Sequence, residues 1–187
     1  VSLLSQLFGM LNVKVGMLST IQNKVIDEII PSTHTTPDAL QLNFLLNKMI
    51  NTGCEYCFME VSSHAIAQGR ISGLNFSGGV FANLTQDHLD YHNTFTEYRD
   101  VKKSFFDALP KTAFALTNKD DKNGIKMLEG TKAKKQTYAL KSVSNYKCRV
   151  LENQFEGMLL NINKVDVWVK LIGDFNAYNM LSVYAVA

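Results

Sequence analysis

The stretch Glu60 to Arg70, "EVSSHAIAQGR", sets a carboxylate, two serines, a histidine and an arginine directly after the apolar run "CEYCFM". A carboxylate ending a buried strand must be paired, hydrogen-bonded or bound to a metal ion, because an uncompensated charge is costly away from water. Glu60 therefore either meets the backbone of Ser62 or Ser63 at the start of a helix or takes part in chemistry, and residue type alone leaves both open. A second group, "TQDHLDYH", holds Asp87, His88, Asp90 and His92. Carboxylate and imidazole together suit Mg2+, Mn2+ or Zn2+, but loops carry Asp and His for turn reasons as well. The spacing is not the H-E-x-x-H of a zinc protease. A metal-dependent hydrolase built on Glu60, Asp87, His88 and His92 is one reading of these side chains. Lys102 and Lys103 follow, and two adjacent helical residues cannot share a face. One can turn toward the Asp/His loop while the other meets solvent. Cys54 and Cys57 form a C-x-x-C without a second pair, which argues for strand packing rather than zinc. No G-x-G-x-x-G and no Walker A motif is present.

Hydrophobic spacing predicts the elements that must position these groups. Val1 to Leu11 has helical periodicity, and "VKVGML" has strand character. A polar connection with one short hairpin precedes the clearest helix, "TTPDALQLNFLLNKMINTG", where Thr36 is the expected cap and Pro37 the first helical residue. "EYCFMEV" reads as a strand buried on both faces. A short helix from Ser63 to Gln68 follows, then a strand in "FSGGVFAN", a helix in "TFTEYRDVKKSFFDALP", a strand in "TAFALTN" and a helix in "DDKNGIKMLEG". From Gln136 onward, "QTYALK", "NYKCRVLE", "GMLLNIN" and "VDVWVKLIG" are spaced like a meander. Phe105, Phe106, Phe155, Trp168 and Tyr178 are expected in packing. The order predicts an α/β fold: a mostly parallel sheet flanked by helices, with a small antiparallel β appendage at approximately 135–172. In such sheets chemistry lies beyond the carboxyl ends of the strands, and Glu60, Asn83 to His88 and Thr117–Asn118 all follow such ends.

Length and composition agree with one folded domain. The chain has 187 residues, 46% hydrophobic and 19% charged, with 19 basic and 17 acidic side chains. That balance gives no electrostatic case for nucleic acid. No apolar run reaches bilayer length, and no secretory leader is recognisable. Three cysteines do not make a disulfide framework, so the expected compartment is the cytoplasm.

"STHTTPD", "FMEVSSHAIAQGRISGL", "FANLTQDHLDYHNTFTEYRDVKKSFF", "ALTNKDD" and "IGDFNAYN" together resemble the central domain of the Mur ligase family. The serine-serine-histidine after Glu60 resembles its MurE type, the UDP-N-acetylmuramoyl-tripeptide synthetases of peptidoglycan synthesis. The resemblance implies ATP-dependent amide bond formation. A D-glutamate carboxylate of UDP-N-acetylmuramoyl-L-alanyl-D-glutamate is phosphorylated, and the amine of a diamino acid, meso-diaminopimelate or L-lysine, displaces phosphate. A carboxylate attacking a polyanion needs cations to neutralise both, so ATP and Mg2+ are the implied cofactors. By the same resemblance Glu60 and His88 would each hold a Mg2+. Lys102 would be carbamylated and serve the second metal. Thr35, Thr36, Ser62, Gln68 and Arg70 would contact the muramoyl dipeptide, and Asn176 and Asn179 would lie on the adenine side. A folylpolyglutamate or cyanophycin synthetase relative is the alternative within the same ligase class.

The family's G-T-N-G-K-T-T loop would precede Val1, and its uridine-binding and amino-acid-selecting domains have no counterpart in the sequence. The expectation is therefore a central domain over residues 1–187, inert as an isolated fragment.

Overall fold

The short apolar runs become strands in a computed structural model that describes residues 1–85, 91–92 and 94–187. The chain divides into two units, Val1–Leu74 and Asn75–Ala187. The first contains α1 (Ser2–Met10), β1 (Val15–Leu18), β2 (Gln22–Val25), β3 (Glu28–Pro31), α2 (Ala39–Asn51), β4 (Tyr56–Met59) and α3 (Ser63–Ala67). Its sheet runs β3-β2-β1-β4. The expected hairpin is β2–β3, and β1 lies parallel to β4 with Leu18 opposite Met59. The carboxyl ends of β1 and β4 are therefore side by side.

The core of this unit comes from the two faces that the periodicity points inward. Leu18 and Val25 from the sheet meet Leu42, Leu45 and Met49 from α2. Gly16 faces the Met49 side chain, which fills the space a side chain at 16 would need. The cap of α2 differs from the expected one. Asp38, not Thr36, is the N-cap, and its carboxylate accepts from Gln41 N at 2.9 Å. Such a cap is worth about 1 kcal/mol, and it leaves the Thr36 hydroxyl for other work. β4 is also less buried than expected. Tyr56 and Phe58 share one face, where Phe8 of α1 meets both rings edge-on at 5.1 Å, and Tyr56 stays half exposed. Cys54 and Cys57 pack against the core as expected. Burial, reinforced by the charge of Cys54, pushes the Cys57 thiol up to about 12, which suits a packing residue.

The second unit contains β5 (Gly78–Phe81), α4 (Phe95–Asp107), β6 (Phe114–Asn118), α5 (Gly124–Met127), β7 (Lys134–Ala139), β8 (Tyr146–Gln154), β9 (Gly157–Ile162), β10 (Val165–Val169) and α6 (Asp174–Val186). Its sheet runs β10-β9-β8-β7-β6-β5. Strands β5 to β8 pair in parallel, and β8, β9 and β10 pair antiparallel. The parallel sheet with an antiparallel patch is thus present, and the change of direction falls at β8. Phe81, Phe106, Leu109 and Met127 fill one core. Leu116, Met158, Leu160 and Leu181 fill another under α6. Phe155 is not a packing residue: it sits in the β8–β9 turn and is 95% exposed. Trp168 on β10 is also exposed. Gly124 starts α5 hard against the carbonyl of Asn118, where no side chain fits. That close turn carries the chain across the carboxyl end of β6. Among the described residues no helix is long and apolar enough to cross a membrane.

Candidate functional site

In the first unit, the carboxyl ends of β1 and β4 gather a hydroxyl-rich network around Glu60. The ladder continues one step past the strands, with Glu60 N donating to Leu18 O at 2.9 Å. This fixes the Glu60 backbone beside the Ser19–Thr20 turn. The Glu60 carboxylate accepts from Thr20 N at 3.0 Å and from the Thr20 hydroxyl at 2.6 Å, both on Oε2. It does not reach the backbone of Ser62 or Ser63. Ser62 is instead the N-cap of α3, its Oγ accepting from Ala65 N at 3.2 Å.

Thr35 and Thr36 stand at the centre. Thr35 Oγ1 lies 3.1 Å from Thr20 Oγ1. The buried Thr36 hydroxyl donates to Glu60 O at 2.8 Å and accepts from Ser62 N at 3.0 Å. Thr36 O in turn accepts from Arg70 Nη1 at 2.9 Å, and Arg70 Nε donates to Gln68 Oε1 at 2.8 Å. Glu60, Thr35, Thr36, Ser62, Gln68 and Arg70 therefore form one connected surface. Proline at 37 helps set it, because the residue before proline is held out of the helical region. The helix then starts only after Asp38, which frees the Thr36 backbone carbonyl for Arg70.

In the second unit, the ends of β5 and β6 and the first turns of α6 frame a cavity of about 370 Å³ lined by Asn83, Asn118, Asp120, Asp121, Phe175, Tyr178 and Asn179 together with Ala82. Gly173, with φ 88°, turns the chain into α6. The first turn of α6 thereby brings Phe175, Tyr178 and Asn179 to that rim. Asn176 turns away to Ile172 O at 2.9 Å, while its Oδ1 receives Asn179 Nδ2 at 3.2 Å. It supports Asn179 rather than lining the cavity. Asp120 accepts from Leu140 N, Lys141 N, Ser142 N and the Tyr178 hydroxyl at 2.8–2.9 Å. Burial works against its charge, but hydrogen bonds from Ser142, Lys141, Tyr178 and Leu140 outweigh burial and hold the carboxyl down at about 2. Burial and the same bond to Asp120 push the Tyr178 phenol up to about 12.

On α4, the two lysines separate as adjacent helical residues must. Lys103 forms an i,i+4 pair with Asp107, with both oxygens at 2.7 Å. Lys102 lies over the Tyr98 ring, its Nζ 5.3 Å from the centroid. His92 is 1% exposed and stacks beside that same ring at 5.3 Å. His92 is thus buried against Tyr98. His88, with Asp87 and Asp90, lies outside the described residues. Among the described residues there is no group of three or more His, Cys, Asp and Glu that could hold a metal ion by itself. Oxygen donors on the rim of the first unit still suit a hard cation, because Mg2+ is commonly bound through one or two carboxylates plus phosphates and water. Sequence reasoning missed Thr20, Asp120 and Phe175. No signal in the sequence marks Thr20, because its place depends on β1 pairing with β4.

Comparison with known proteins finds relatives over the whole chain. The chain is 58% identical over 186 residues to the UDP-N-acetylmuramoyl-L-alanyl-D-glutamate--2,6-diaminopimelate ligase of Phocaeicola vulgatus, covering 100% of this chain and 38% of that protein. It thus spans well under half the length of that relative. A solved structure of a ligase with the same description superposes with a TM-score of 0.88 at 27% identity, over 100% of this chain and 39% of that one. MurF from Acinetobacter baumannii shares the fold, with a TM-score of 0.74 at 12% identity, over 98% of this chain and 38% of that one. The profile of the Mur ligase middle domain matches residues 1–187, and the chain belongs to that family.

Proposed function

We propose that this chain is the middle domain of an ATP-dependent ligase that joins 2,6-diaminopimelate to UDP-N-acetylmuramoyl-L-alanyl-D-glutamate in peptidoglycan synthesis. The observation that carries the reading is the connected surface of Glu60, Thr35, Thr36, Ser62, Gln68 and Arg70 at the ends of β1 and β4. The names of the relatives support diaminopimelate as the amine donor. Three free cysteines and a nucleotide-linked substrate are consistent with a cytoplasmic protein.

Each residue has a task that follows from its chemistry. Glu60 has one oxygen committed to Thr20 and Oε1 unpartnered among the described residues, so it can hold a Mg2+ shared with ATP phosphates. That ion, when bound, neutralises charge between the phosphates and the incoming carboxylate. Arg70 and the Thr35–Thr36 pair supply cationic and hydroxyl contacts for the anionic dipeptide. The cavity beside α6 suits a nucleoside: Asn179 offers an amide for base edges, and exposed Phe175 offers a ring face. Lys102, standing over Tyr98, would act as a carbamate. Its neutral amine adds CO2 and releases one proton, which turns a cation into an anion able to face a metal, with His88 as a further ligand. The ligation then proceeds by attack of the glutamate carboxylate on the terminal phosphorus of ATP, with ADP leaving. The amine attacks the acyl carbon, and phosphate departs with the acyl oxygen.

The test uses the full-length gene product. ADP release should require UDP-N-acetylmuramoyl-L-alanyl-D-glutamate and diaminopimelate together. Turnover with a folate and glutamate instead would assign the folylpolyglutamate class. ATP-independent hydrolysis of a phosphoester with metal alone would assign a hydrolase. Either result overturns the proposal.

A further inference from the structure

The tie between Thr20 and Glu60 is more specific than a link between two strand ends. Both donors of Thr20, its N–H at 3.0 Å and its hydroxyl at 2.6 Å, converge on a single oxygen, Oε2. A carboxylate has lone pairs on both oxygens, and the other oxygen is left without a protein partner among the described residues. The hydroxyl has one proton and two oxygen neighbours, Glu60 Oε2 and Thr35 Oγ1 at 3.1 Å. A charged acceptor makes the shorter and stronger bond, so Thr20 donates to Glu60 and Thr35 donates to Thr20. The protons are thereby ordered from Thr35 through Thr20 to Glu60.

We propose that Thr20 is a positioning residue for the Glu60 carboxylate, engaging Oε2 so that Oε1 is presented to a divalent cation. This inference rests on the reading of Glu60 as a cation-binding carboxylate. Thr20 is exposed and lies outside the core of its unit, so replacing its methyl-bearing side chain removes no packed volume. The loss of its hydroxyl would release one of two restraints and let the carboxylate turn. Thr35, as the donor to Thr20, extends the same restraint to the threonine pair.

The experiment is a titration of the full-length gene product with Mn2+ alone, read by the electron paramagnetic resonance signal of the free ion. The proteins compared are the unchanged one, Glu60→Gln, Thr20→Val and Thr20→Ser, with a thermal melt of each. Glu60→Gln should lose one binding site. Thr20→Val should weaken that site by about 10-fold, the usual scale for a group that orients a metal ligand, with a melting temperature close to that of the unchanged protein. Thr20→Ser, which keeps both donors, should restore affinity to within about twofold. If Glu60→Gln loses the site while Thr20→Val binds as the unchanged protein does, the positioning role is wrong and Glu60 keeps its assignment. Should Glu60→Gln bind Mn2+ unchanged, the reading of Glu60 falls and the role of Thr20 with it.

Discussion

Glu60 and Asp120 each follow a strand end, and they are built in opposite ways. Glu60, in the first unit, has Oε2 held by Thr20 and Oε1 unengaged among the described residues. Asp120, in the second, has both oxygens engaged: Ser142 N on Oδ1, and Leu140 N, Lys141 N and the Tyr178 hydroxyl on Oδ2. A carboxylate surrounded by donors is stabilised in its charged form and has little left to offer a ligand. A half-engaged one is oriented and still able to bind. The same residue chemistry at the same topological place therefore serves structure in one unit and, on the present proposal, cation binding in the other. The two adjacent lysines of α4 also point to different neighbours. Lys103 is tied to Asp107, while Lys102 is aimed across Tyr98.

Removing the residues proposed to face a cation, Glu60 and Lys102, should have the largest effect. Glu60→Gln should lower ligase turnover of the full-length gene product by about 100-fold or more, the scale for removing one electrostatic stabiliser. Lys102→Ala should do the same in a bicarbonate-saturated assay, whereas Lys103→Ala, which loses only an exposed helix pair worth about 0.3 kcal/mol, should stay within about twofold. Equal losses in the two lysine variants would erase the distinction between them.

The saturated carboxylate should show itself in stability instead. Asp120→Ala leaves three backbone N–H groups without their charged acceptor and should cost about 2 kcal/mol, a fall in melting temperature of roughly 5 °C. An unchanged melting curve would mean that water replaces the carboxylate at no cost. The acid limb sharpens the point. A carboxyl held at about 2, against about 3.9 when unfolded, stabilises the fold above pH of about 4, and that stabilisation is lost as pH falls toward 2. Asp120→Asn should flatten the stability profile across that window, as followed by urea melts. A smaller effect on stability than that of Asp120→Ala belongs to Thr36→Val, which removes one buried hydroxyl that bonds Glu60 O and Ser62 N. It should cost about 1 kcal/mol, and no shift in a urea midpoint would show that the hydroxyl is dispensable.

Much of this was legible before any fold was known, for definite reasons. The α2 face of Leu42, Leu45 and Met49 follows from helical spacing, and the polar residues after β4 stand where an α/β sheet keeps its chemistry. The family resemblance picked out Thr35, Thr36, Ser62, Gln68 and Arg70, and the fold joins them. Thr20 was not legible, because its importance depends on β1 lying next to β4, a pairing between strands that are not consecutive. Asp120 was hidden for the same reason: its donors come from the loop after β7 and from α6, 20 to 58 residues away. Thr36 was misread as a cap because a threonine before a proline fits both patterns, and only the presence of Glu60 O and Ser62 N beside it decides. Phe155 has core-like spacing in the sequence, but it falls in a turn between two strands, which leaves it exposed.

The contrast between the two carboxylates is tested most directly by a crystal of the full-length gene product soaked with Mn2+ and a non-hydrolysable ATP analogue, measured at the manganese absorption edge. The account predicts an anomalous peak in coordination distance of Glu60 Oε1 and none at Asp120. A peak at Asp120 with Glu60 bare would contradict it.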